Sequence, residues 1–65
     1  MKEKLSAREV QVMECLQKGM SNDEIARKLS LSVTTVKTHL RRIFIKLNAD
    51  SRLQAVYKYQ SNTKK

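Results

Sequence analysis

The sequence has no proline, no tryptophan, and only one glycine, one cysteine and one histidine. Without proline nothing forces a break in a helix, and the abundant Leu, Lys, Glu, Gln, Arg and Met favour one. Cys15, alone, closes no internal disulfide, and with no His or Cys at ligand spacing it makes no zinc site. One histidine and one glycine supply neither a Ser/His/Asp set nor a glycine-rich phosphate loop, and no paired-carboxylate site can be assembled. The chain therefore reads as a non-enzyme without metal or cofactor. No stretch approaches the roughly 20 apolar residues of a membrane span, and no signal-like apolar run follows Met1. The expected setting is the cytoplasm, with no membrane partner. Length adds its own exclusions. A chain of 65 residues buries only about 60% of its unfolded surface and holds roughly 3–5 kcal/mol of stability. It has no room for a barrel, a doubly wound sheet or a second, sensing domain.

Acidic residues are scarce in one half only. Residues 1–24 carry Lys2, Lys4, Arg8 and Lys18 against Glu3, Glu9, Glu14, Asp23 and Glu24, a net −1. Residues 25–65 carry ten Lys or Arg against Asp50 alone, a net +9. Charge this one-sided on a folded unit favours a polyanionic partner, nucleic acid or an anionic surface. A face kept basic for solubility is the plainer alternative.

The remaining residues punctuate four helices. Ser6-Ala7-Arg8-Glu9 is a capping box, followed by Val12, Met13, Leu16 and Met20 in line with Leu5. Gly19 stands where a left-handed residue ends a helix. A second box, Ser21-Asn22-Asp23-Glu24, opens a short helix burying Ile25, Ala26 and Leu29. Its two first-turn carboxylates suit the positive end of the helix dipole. Ser32 caps a third helix over about 33–47. At 100° per residue its apolar stripe is Val36, Leu40, Ile43 and Leu47, within about 40°. The opposite side holds Thr34, Thr38, Arg41, Arg42 and Ile45, with Lys37 at its border. Asn48-Ala49-Asp50 breaks this helix, and Asp50 or Ser51 caps a fourth that buries Leu53, Val56 and Tyr57. The expected domain is 5–59, all-α with four helices, and 1–4 and 60–65 are flexible termini that fray from Gln60.

A short helix, a tight turn and a longer helix over Asn22–Arg42 make a helix-turn-helix. Small Ala26 sits at the close approach of the two helices, and Leu31 plugs the turn. An ordinary helical hairpin needs a similar apolar set, but the cationic face of the second helix favours the DNA-binding form. His39, about 60° off the stripe, reads as a packed, hydrogen-bonded structural histidine. Cys15 reads as a small hydrophobe, and Met13 and Met20 as core.

Leu5-Ser6-Ala7-Arg8-Glu9, Gly19, Ser21-Asn22-Asp23-Glu24-Ile25-Ala26, Thr35-Val36-Lys37-Thr38-His39, Ile43, Lys46-Leu47, Arg52 and Ala55-Val56 together resemble the LuxR-type (GerE-like) DNA-binding domain. The resemblance covers about 5–57. It implies a four-helix domain of bacterial transcription regulators, commonly dimeric on DNA through the last helix. The chain departs from that pattern at Val10 and Gln11, usually charged, and at Ile45, usually polar. Ser30 also replaces the glycine common in such turns.

The wheel and the resemblance together assign roles. Lys37, Thr38 and Arg41 are the base-edge candidates, since Lys or Arg donates to guanine and a threonine methyl or hydroxyl meets thymine. Ser32, Thr34, Thr35, Arg42 and Lys46 are phosphate candidates, which position without specifying. Arg27 and Lys28 either touch phosphate or only solubilise. Arg52, Ala55 and Tyr59, read as the outer side of helix four, are the dimer candidates. The expected partners are double-stranded DNA, a second copy on DNA and, further, RNA polymerase. Two rival readings use the same residues. One is a sigma region-four-like promoter module; the other is a small protein that pairs with a larger regulator and antagonises it.

Overall fold

The computed structural model describes residues 4–63, with side chains through residue 61. Helix α1 spans Ala7–Gln17, α2 Asn22–Leu29, α3 Val33–Leu47 and α4 Arg52–Thr63. The described residues contain no strand. Both capping boxes form. The Ser6 hydroxyl accepts from the Glu9 N–H at 3.2 Å while the Ser6 N–H donates to Glu9 Oε1 at 2.9 Å. Ser21 and Glu24 repeat the exchange at 3.2 and 2.8 Å. Each pair satisfies two amides that a helix start leaves without partners.

The first three helices stop in the same way. Gly19, Ser30 and Asn48 take left-handed φ values of 82°, 59° and 56°. The N–H of the next residue then folds back, Met20 to the Cys15 carbonyl, Leu31 to Ala26 and Ala49 to Phe44. This is the Schellman arrangement, which closes a helix within two residues. Glycine adopts it without steric cost and asparagine tolerates it, whereas serine at position 30 bears the penalty of its Cβ.

Helix α3 packs against all three others, and α1 also touches α2 and α4. Between them lie Val12, Met13, Leu16, Ile25, Ala26, Val36, Leu40 and Ile43, with Cys15 buried beside them as a free thiol. Leu29 and Leu47, expected inside, are half-buried against this cluster.

Helix α4 corrects the expectation. Ala55 is fully buried, and Val56 and Tyr59 pack against the core, whereas Leu53 and Tyr57 are 82% and 69% exposed. The inward stripe is 52, 55, 56 and 59, not 53, 56 and 57. Arg52 explains the choice. Its guanidinium donates to the Met20 carbonyl and to Asn22 Oδ1, both at 2.8 Å, and so ties the start of α4 to the start of α2. With that register fixed, the small side chain of Ala55 lets the helix lie close. Ser51 is the cap, accepting from the Gln54 N–H at 3.1 Å. The helix continues to Thr63, past the fraying expected from Gln60. Residues 1–3, 64 and 65 of the expected termini lie outside the described residues.

Candidate nucleic-acid interface

The turn between α2 and α3 aims the front of α3 outward. Ser30 reverses the chain, half-buried Leu31 packs against the core, and Ser32 starts the next helix. The Ser32 hydroxyl accepts from the Thr35 N–H at 3.0 Å and donates to Thr35 Oγ1 at 2.9 Å. These two phosphate candidates are therefore joined at the helix start. The amides of the first turn, Val33 and Thr34, stand beside them as donors of the kind an anion binds.

Beyond the cap, one face is open. Thr34, Lys37, Thr38 and Arg41 line a single shallow depression, and all four, with Arg42, are exposed. The Thr38 hydroxyl donates to the Thr34 carbonyl at 3.1 Å, which engages its proton within the helix. No acidic side chain pairs with Lys37, Arg41 or Arg42 among the described residues. The row thus combines two long cations, two hydroxyl-bearing side chains and a flanking arginine.

Lys46, on the same helix and also a phosphate candidate, differs from this row in having an acidic partner. Its ammonium lies 2.8 Å from Glu9 Oε1 and 3.4 Å from the Lys4 carbonyl. Glu9 is the buried charged residue of the domain's described part. Burial by itself raises the Glu9 carboxyl. The bonds from Lys46 and Ser6 and the Lys46 charge outweigh that and hold it below its ordinary value. Lys46 is thus committed to joining the end of α3 to the start of α1.

Two assignments change. Ala55 is fully buried, Tyr59 packs against the core, and Arg52, though exposed, is bonded to Met20 and Asn22, so these dimer candidates do not form an outer patch. The outward side of α4 instead shows Leu53 and Tyr57. His39 is half-buried, but its Nδ1 has no hydrogen-bond partner, contrary to the bonded histidine expected. Arg27 and Lys28 are exposed on α2, beside Met20 and Glu24.

Sequence reading missed the Glu9–Lys46 pair and the Arg52 clamp. For the second, the sequence showed only that Arg52, Ala55, Val56 and Tyr59 fall at helical core spacing, a stripe no better marked than Leu53, Val56 and Tyr57. No signal existed for the first, whose partners lie 37 residues apart.

The GerE family model, described as "Bacterial regulatory proteins, luxR family", matches residues 3–59. The "Uncharacterized transcriptional regulatory protein YxjL" of Bacillus subtilis (strain 168) is 46% identical over 54 residues, 83% of this chain and 25% of that protein. The "HTH-type transcriptional regulator MalT" of Yersinia pestis (strain Pestoides F) is 43% identical over 56 residues, 86% of this chain and 6% of that protein. Among solved structures, the response regulator ChrA of a heme-sensing two-component system superposes with a TM-score of 0.90 at 40% identity. That match covers 95% of this chain and 31% of ChrA. The chain thus spans a quarter or less of these two curated relatives.

Proposed function

The chain belongs to the luxR family of bacterial regulatory proteins, as a helix-turn-helix domain of DNA-binding transcription regulation, and from that premise we propose that it reads double-stranded DNA with α3 in the major groove. One observation carries this reading. Lys37 and Arg41 are exposed and, among the described residues, without an acidic partner, beside Thr34 and Thr38 in one depression on the helix after the turn. Lys37, Thr38 and Arg41 contact base edges. Ser32, Thr34, Thr35 and Arg42 contact phosphates and hold the helix in register.

Two copies bind a pseudo-palindrome through α4. Leu53 and Tyr57, four residues apart and exposed on one face, form the seam in place of Arg52, Ala55 and Tyr59. So short a patch buries less than the roughly 1,200 Å² of a stable interface. Pairing is therefore weak in free solution and completed on the duplex, where both copies are held at high effective concentration.

Titrating duplex binding at several salt concentrations tests the reading. The expected log–log slope is about −0.9 per phosphate neutralised. A slope near zero overturns nucleic acid as the partner.

A further inference from the structure

The outward row of α3 continues past Arg41. At 100° per residue, Thr34, Thr38, Arg41 and Ile45 lie within an arc of about 60°, with Ile45 between the directions of Thr38 and Arg41. The Ile45 side chain is 71% exposed, whereas Ile43 is fully buried. It also walls a shallow groove with Lys37, Leu40, Arg41 and Phe44. A lone exposed isoleucine elsewhere would need no explanation. This one stands in the middle line of a row otherwise made of cations and hydroxyls.

We propose that Ile45 is a specificity-determining residue that reads thymine, through apolar contact with its 5-methyl group at one end of the half-site. The inference rests on the reading of α3 as the major-groove helix. Isoleucine has no donor or acceptor, so it discriminates among base pairs only by what it shields from water. Thymine's methyl is the apolar group that base pairs display in the major groove. Ile45 lies about 6 Å along the axis beyond Arg41 and about 10 Å beyond Thr38. Its thymine is therefore a different one from any that the Thr38 methyl meets. Arg41, between them, addresses the intervening position. The row reads in the order apolar, cationic, apolar.

The test starts by selecting bound duplexes from a random pool with the intact chain. Each thymine of the selected half-site is then replaced singly by deoxyuridine, which removes one methyl and nothing else. The expected result is a loss of about three- to fivefold at one thymine, the size of one shielded methyl group. That thymine lies beyond the position whose preference is lost in Arg41→Ala. In Ile45→Ala the same replacement has no effect, while sensitivity at other thymines persists. Ile45 is exposed, so the variant keeps its fold, which its far-ultraviolet circular dichroism checks. A selected site without thymine at that end, or equal deoxyuridine sensitivity in both proteins, overturns the proposal. So does an Ile45→Ala variant with unchanged DNA binding that loses a protein partner of the groove. Failure to select any sequence overturns the DNA-reading function itself, and is distinct from all of these.

Discussion

At two junctions of the fold, α3 with α1 and α4 with α2, cationic side chains are committed to partners within the protein. Lys46 holds Glu9, and Arg52 holds Met20 and Asn22. On the outer side of α3, Lys37, Arg41 and Arg42 have no acidic partner among the described residues. The residue types are the same and the helix is partly the same. A count of positive charge along the chain therefore does not locate a binding surface. What locates it is which charges the fold leaves uncommitted.

A large effect is expected where the charges are committed. Glu9→Ala removes the side-chain half of a capping box and the partner of Lys46, while the residue-9 N–H still donates to the Ser6 hydroxyl, and should destabilise by about 2–4 kcal/mol. In a domain of roughly 3–5 kcal/mol that leaves little folded protein, as thermal unfolding followed by circular dichroism will show. The same group sets a pH dependence. Its carboxyl is held below its ordinary value, so its stabilisation is full above the unfolded-state pKa and is lost as pH falls through the lower, folded-state value. Unfolding midpoints should drop over that acid range in the parent chain and much less in Glu9→Ala. If the two acid limbs coincide, the ion pair is not what stabilises the junction of α3 with α1.

Substitutions on the open side should reverse the pattern. Arg41→Ala or Lys37→Ala is expected to cost about 1–3 kcal/mol of binding at the preferred site and to relax one base position. Stability should move by no more than about 0.5 kcal/mol. Arg42→Ala should weaken all sequences alike. Base-specific loss from Arg42, or uniform loss from Arg41, would mean that α3 lies differently in the groove.

Helix α4 offers a contrast within a single element. Ala55→Glu places a carboxylate in the core and should abolish the folded state. Leu53→Glu should leave unfolding nearly unchanged, while two copies load a palindromic duplex independently rather than together. Sedimentation with and without that duplex separates the outcomes, and unchanged cooperative loading by Leu53→Glu removes α4 as the seam.

The smallest effect concerns the corner between α2 and α3. Ser30→Gly relieves a left-handed serine at some cost in chain entropy, for a net gain of about 0.5 kcal/mol. A loss instead would show that the Ser30 side chain stabilises the turn.

Much of this was legible in the sequence because it is local. Ser6 with Glu9, Ser21 with Glu24, and Gly19 are signals contained within a few residues, and they set three of the helix boundaries. The stripe of α3 was legible for the same reason, with Val36, Leu40 and Ile43 spaced for one face and Thr34, Thr38 and Arg41 for the other. Helix α4 was not, because Leu53-Val56-Tyr57 and Ala55-Val56-Tyr59 are both apolar stripes sharing Val56. Side-chain bulk favoured the first; the distant anchor of Arg52 on Met20 and Asn22 selects the second. The ion pair of Lys46 was hidden for the same kind of reason, since Glu9 is brought to it only by the packing of α1 on α3. The missing bond to His39 Nδ1 likewise belongs to tertiary packing.

The three left-handed corners have a consequence in time as well as in shape. Each of the first three helices carries its own start and stop, so local structure forms before distant segments must meet. Domains dominated by such near-neighbour contacts cross their folding barrier in microseconds to milliseconds. The chain contains no proline, so no slow prolyl isomerisation delays the rest. A domain with so thin a margin of stability unfolds often, and these corners make each excursion brief.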